Sequence, residues 1–214
     1  MHISEGILGA PVLGAGAAVA AVGVGYGLWK MDYERVPRVA ALSSAFFVAS
    51  LIHVPVGPSS VHLILNGLLG LILAWAAFPA FLIALFLQAV FFQFGGISTL
   101  GVNVVNMALP AVICYYLFHG IVTRGGDTAA AVAAFLAGVL SVGIACGFWA
   151  ACLYSAGKAF FIVILGGLAA HVPVMVIEGF LTASAVVFLR RVRPELLTAP
   201  LVGDGDRVKP DPTK

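Results

Sequence analysis

Charge is what this chain has least of. Only 9% of its 214 residues are Asp, Glu, Lys or Arg, where a soluble domain carries about 25%. Nine acids face eleven basic residues, a formal charge of +2. No basic patch lies outside short loops, which excludes nucleic acid as a partner. Cysteine is nearly absent too. Cys114, Cys146 and Cys152 lie inside apolar runs without metal-ligand spacing, so they read as small core residues, neither a disulfide framework nor a site. The phosphate-cradling Gly-x-x-x-x-Gly-Lys-Ser/Thr loop is missing, as are His-Glu-x-x-His and Gly-x-Ser-x-Gly. The chain therefore shows no means of using ATP in that manner and no visible hydrolase set.

What is present is apolar. Hydrophobic residues make up 62% of the chain and the mean hydropathy is +1.10. This composition predicts an all-α polytopic membrane protein. A membrane helix needs about 20 apolar residues. Seven candidates run over about 7–29, 39–53, 61–77, 79–93, 100–121, 129–155 and 158–189. The two prolines and the glycine in 54–60 break the chain, and Ser59 or Ser60 is a plausible N-cap for a helix starting near Val61. The last run is long for one perpendicular helix, and Pro173 inside it predicts a kink or break. Residues 1–193 read as one membrane-embedded, metal-binding domain. Residues 194–214 read as a flexible polar tail in the cytoplasm.

Lys and Arg favour cytoplasmic loops. Lys30, Arg35 and Arg38 follow the first run, Arg124 the fifth, and Arg190, Arg191 and Arg193 the last. Seven spans with the N-terminus outside and the C-terminus inside put every one of those clusters in the cytoplasm. The N-terminus then shares the outer face with the loops at 54–60 and 94–99, and His62 can reach the space occupied by His2.

That juxtaposition has chemical content. The α-amine of Met1, the amide nitrogen of His2 and the His2 imidazole lie on consecutive chelate rings. With the amide deprotonated, these three nitrogens hold a metal in one plane, an arrangement suited to Ni(II) or Cu(II). His62 can supply a fourth nitrogen. The other ring nitrogen of each histidine needs an acceptor, and Glu5, Asn66, Asn103 and Asn106 are the candidates. The first segment lacks a basic leader and carries Glu5 before the apolar run, so it reads as retained rather than cleaved. His53 could line the site, and His119 falls at the inner end. Glu178, an acid within the last run, stands two helical turns from His171. The pair reads either as a proton or cation step or as a structural hydrogen bond to a neighbouring helix, and the single acid favours the second. Small residues recur at four-residue spacing, at Ala10, Gly14 and Ala18 and at Ala41, Ala45 and Ala49. Such rows let helices approach closely, inside the bundle or against another subunit.

Four motifs occur in order along the chain: Met1-His2-Ile3-Ser4-Glu5-Gly6, Ser59-Ser60-Val61-His62 with Asn66-Gly67, Gly95-Gly96-Ile97-Ser98-Thr99-Leu100-Gly101-Val102-Asn103, and Ile177-Glu178-Gly179. Together they resemble the CbiM/NikM family, the substrate-binding membrane (S) components of energy-coupling-factor transporters for cobalt and nickel. The resemblance covers about Met1 to Arg193. It implies a seven-helix fold in a prokaryotic cell membrane, and metal ligands that map onto Met1, His2 and His62. It implies Ni(II) or Co(II) as the transported substrate, with no organic cofactor and no enzymatic activity of the chain's own. The implied partners are a transmembrane coupling subunit, two cytoplasmic ATPase subunits and a small accessory membrane subunit. Ser4 stands where Met or Pro is common, and Ser-Val-His-Leu replaces the Ser-His-Pro of some cobalt-type members, which tilts the reading towards nickel. The competing expectation is a proton-coupled secondary metal carrier using Glu178 and His171.

Overall fold

The central element is a hairpin whose first arm is only half a helix. The computed structural model describes residues 2–56 and 59–198. Around that hairpin stand α1 (Ala10–Lys30), α2 (Val36–Leu51), α5 (Leu100–Arg124), α6 (Asp127–Ala156) and α7 (Phe161–Val192). The hairpin comprises α3 (Asn66–Leu73), a 3-10 turn at Ala74–Ala76 and α4 (Ala77–Phe92). Ahead of it, two short antiparallel strands, β1 (His53–Val56) and β2 (Ser59–His62), pair with His53 opposite His62. The stretches Ala10–Lys30, Asn66–Phe92, Leu100–Arg124, Asp127–Ala156 and Lys158–Val192 are long and apolar enough to cross a membrane, and Val36–Leu51 is a shorter apolar helix. The Asn66–Phe92 window is 78% buried, against 17% for α1 and 22% for the last stretch. The hairpin is thus the core, and α1 and α7 form the outer wall.

Asn66–Phe92 cannot be one straight rod. At about 1.5 Å per residue its ends would stand roughly 40 Å apart. Yet His62, just before it, and Gln88, near its end, both touch the ring of His2. The chain therefore descends through α3, reverses at Ala74 (φ 48°, ψ −123°), and returns through α4. Other pairings fix the remaining directions. Ile3 meets Asn103 at the start of α5, and Arg190 near the end of α7 donates to the carbonyls of Val122 and Gly125 at the other end. The first and last described residues therefore lie at opposite ends of the bundle.

The expected helix over 61–77 is corrected. Residues 59–62 are a strand, 63–65 belong to no regular element, with Leu65 left-handed at φ 52°, and helix begins only at Asn66. The cause is distant in sequence. The Glu178 carboxylate on α7 accepts the backbone N–H of Ile64, and that of Leu65 at 2.9 Å. An anion at that point takes the orphan N–H groups at the start of α3 and fixes where the helix can begin. Ser59 and Ser60 do not cap it. Of the kink or break expected at Pro173, the break does not occur, because α7 stays helical from Phe161 to Val192 with Pro173 inside it. In an apolar environment the alternative to a helical hydrogen bond is none, so a proline is carried through with local adjustment. Close backbone approach positions α3. A Cβ on Gly70 would lie 2.2 Å from the Ala111 carbonyl oxygen of α5, and one on Gly67 would lie 2.7 Å from Gly138 Cα of α6. Past α7, Glu195–Thr198 form a helical turn, α8, with Leu197 buried. The rest of the predicted tail, 199–214, lies outside the described residues.

Candidate metal centre

Four elements converge at the end of the bundle that holds the chain's first residues. His2 precedes a tight turn with Gly6 at φ 76°. β2 delivers His62, α4 delivers Gln88, and α5 delivers Asn103. The His2 and His62 rings stack with centroids 4.8 Å apart and 26° between their planes. Both are buried, at 6% and 3% exposure. Ile7, Trp149, Leu153, Phe160 and Val163 line the small apolar cavity beside His2, and Phe94 stands 5.9 Å from its ring.

Asn103 brackets the backbone of the third residue. Its Oδ1 accepts the Ile3 N–H at 2.9 Å and its Nδ2 donates to the Ile3 carbonyl at 3.1 Å. A side-chain amide paired to both faces of one residue fixes the chain direction there, and with it the position of His2. Glu5 secures the far side of the turn by accepting the Ser98 N–H at 2.9 Å and the Ser98 hydroxyl. Both bonds favour its ionised form and hold its carboxyl below the usual range.

Each histidine ring has an acceptor at one of its nitrogens. His2 Nε2 lies 2.8 Å from Gln88 Oε1. An amide oxygen can only accept, so Nε2 carries the proton and the lone pair falls on Nδ1. That Nδ1 is buried and has no partner among the described residues. Burial pushes the His2 imidazole down to about 3, aided by the positive chain terminus, so the ring is neutral at pH 7 and its lone pair is open to a metal. His62 Nδ1 donates to the Leu63 carbonyl at 2.9 Å, which places its lone pair on Nε2. Metal-binding histidines characteristically carry such a bond on the other nitrogen.

The predicted residues separate into groups. His2 and His62 are brought together. Met1 lies outside the described residues. Of the four candidate ring acceptors, Asn103 holds the backbone beside His2 and Glu5 holds the turn to the next loop. Asn66 pairs with Ser141 through bonds of 3.2 and 2.8 Å. Asn106 is buried with neither amide atom partnered among the described residues. The acceptors on the rings are Gln88 and a backbone carbonyl instead. Gln88 carried a signal, being the only polar side chain in α4, because an amide in an apolar span is costly unless paired. His53 is exposed and edge-on to Phe94. His119 bonds the Leu71 carbonyl at the opposite end. His171 is buried with Nδ1 on the Gly167 carbonyl, and Glu178 is engaged in capping α3. No group of three His, Cys, Asp or Glu side chains among the described residues could hold a metal. Two imidazoles are what those side chains offer, so any further ligands must come from elsewhere.

Comparison with known proteins agrees with this chemistry. Residues 2–196 match the family described as CbiM, cobalt uptake substrate-specific transmembrane region. A putative metal transport protein of Haemophilus influenzae is 44% identical over 92% of this chain and 97% of its own. The fused nickel transport protein NikMN of Rhodobacter capsulatus is 31% identical over 92% of this chain, which spans 64% of that longer protein. A crystal structure of a transition metal transporter superposes with a TM-score of 0.73 at 26% identity, covering 90% of this chain and 93% of that one.

Proposed function

The chain belongs to the CbiM family of cobalt and nickel transport components, and from that premise we propose that it captures a divalent transition metal, Ni(II) or Co(II), outside the cell and presents it for ATP-driven uptake. Membership makes it a multi-pass membrane protein of metal uptake. The observation that carries the finer reading is the buried, unpartnered Nδ1 of His2 beside His62. Only Nδ1 can close a six-membered chelate ring with the residue's own amide nitrogen. The Met1 amine and the His2 amide complete a tridentate set, and His62 Nε2 closes the square. This planar nitrogen geometry favours nickel.

ATP hydrolysis is assigned to partner subunits, because the chain has no phosphate-binding loop. The name of the Rhodobacter relative, a fused nickel transport protein, supports assembly with other membrane components, and the partners we infer are a membrane coupling subunit, two ATPases and a small accessory membrane subunit. Ala10, Gly14, Ala18, Ala41 and Ala45 are exposed on the outer faces of α1 and α2, which suits a docking surface. The seven runs of chain alternate between the bundle's two ends. With the basic clusters at Lys30–Arg38, Arg124 and Arg190–Arg193, that alternation supports seven crossings with the metal centre outside. The proton-coupled alternative draws no support from Glu178, whose carboxylate is occupied by backbone N–H groups.

Calorimetric titration of Ni(II) into His62→Ala and His119→Ala tests the site. The first is expected to lose binding by at least 100-fold and the second to bind like the parent, because His119 stands at the opposite end. Equal losses would refute a site shared by His2 and His62.

A further inference from the structure

We propose that Gln88 and Ser50 form a one-way hydrogen-bond chain that selects which nitrogen of His2 meets the metal. The inference rests on the terminal-chelate reading above and extends it to two residues outside the ligand set.

The chain starts at a group of fixed polarity. The Phe47 carbonyl on α2 can only accept, and the Ser50 hydroxyl donates to it at 2.7 Å. With its proton committed, Ser50 Oγ is left to accept from Gln88, whose Nε2 lies 2.5 Å away. Serine thereby settles the orientation of the amide, otherwise ambiguous between its oxygen and nitrogen ends. With the NH2 turned towards α2, Oε1 faces His2 and accepts from its Nε2–H at 2.8 Å. The imidazole is then in one tautomer, with its lone pair on Nδ1, the only ring nitrogen able to join a chelate with the His2 amide. Each step follows from the donor and acceptor inventory of the groups. The participants Ser50 and Gln88 are fully buried and His2 nearly so, so water does not compete for these bonds. The same contact fixes the ring's rotation and raises the basicity of Nδ1. Gln88 and Ser50 are positioning residues, neither touching the metal.

Polarity, unlike packing, can be reversed or made redundant, and the test uses that. A carboxylate at position 88 has no donor end, so Gln88→Glu accepts from His2 whatever Ser50 does. The measurements are Ni(II) affinity of the full chain purified with its native terminus, and 15N chemical shifts of the His2 ring in the metal-free protein, assigned by difference from His2→Gln. Gln88→Leu should weaken Ni(II) binding 10- to 100-fold, the range typical of lost partners behind a metal-bound histidine. Ser50→Ala should weaken it about 10-fold and shift the His2 ring towards the Nδ1–H tautomer. In the Gln88→Glu background, affinity should stay at or above the parent's, and adding Ser50→Ala should change it less than twofold. The proposal is overturned if Ser50→Ala costs the same in both backgrounds, or if His2 keeps one tautomer in Gln88→Leu and Ser50→Ala alike. Failure of the chelate reading looks different: the tautomer would still respond to Ser50 and Gln88, while Ni(II) affinity would be indifferent to all of these substitutions.

Discussion

Replacing Glu178 separates a structural carboxylate from a proton carrier. Its Oε1 accepts from the backbone of Ile64 and Leu65, and its Oε2 lies 3.1 Å from the Leu65 nitrogen. Glu178→Ala leaves the buried N–H of Ile64 and the partly buried N–H of Leu65 without this acceptor, at about 1–3 kcal/mol for the first and less for the second, before any cavity cost. Glu178→Gln keeps an oxygen where both N–H groups point. Only the charge assistance is lost, about 1–2 kcal/mol. The effect should reach the metal, because the pinned residues follow His62 by two and three positions. Thermal unfolding in detergent should show a large drop in midpoint for the alanine variant and a small one for the glutamine. Ni(II) affinity should fall about 10-fold or more with alanine and stay within threefold of the parent with glutamine. Uptake by the assembled transporter should follow affinity. A glutamine variant that is stable and binds Ni(II) normally, yet transports nothing, would refute a purely structural role for Glu178 and revive a proton step at this carboxylate.

Two further outcomes test the assembly and the orientation. Ala45→Trp, on the exposed face of α2, should abolish uptake by the complex and leave Ni(II) affinity within twofold. Normal uptake would show that this row is not the docking face, and a parallel fall in both would mean that the helix packs internally. In a background lacking Cys114, Cys146 and Cys152, single cysteines replacing the exposed Ile97 and Arg193 should react with an impermeant thiol reagent from opposite sides of the membrane. Labelling of both in intact cells contradicts the seven-crossing orientation.

Much of the architecture was legible because hydropathy marks long apolar runs without reference to neighbours. The runs around α1, α4, α5 and α6 were found within a few residues of their ends. What escaped was set by partners remote in sequence. No local signal could announce that helix starts at Asn66 rather than Val61, since the deciding carboxylate is 113 residues from Leu65. Pro173 does not end α7, because in an apolar span a freed carbonyl has no water as an alternative. At the site, two histidines could be paired through topology alone. The acceptor behind His2 could not, because it stands 86 residues away on another helix. Asn103 instead holds the backbone of Ile3, and the ring falls to Gln88, an amide in a helix otherwise without a polar side chain. Reading every lone polar residue in an apolar span as a group in need of a partner would have singled it out.

One added residue tests whether the Met1 amine is a ligand, as proposed. With a single alanine placed before Met1, the amine moves out of the first chelate ring, while His2, His62, Gln88 and Asn103 keep their contacts. Ni(II) titrations of this variant and of the protein bearing a free Met1 amine, both confirmed by mass and by unfolding midpoint, give the comparison. The extended protein should stay folded and lose tight Ni(II) binding by at least 100-fold. Unchanged affinity in the extended protein would contradict the Met1 amine's role as a ligand.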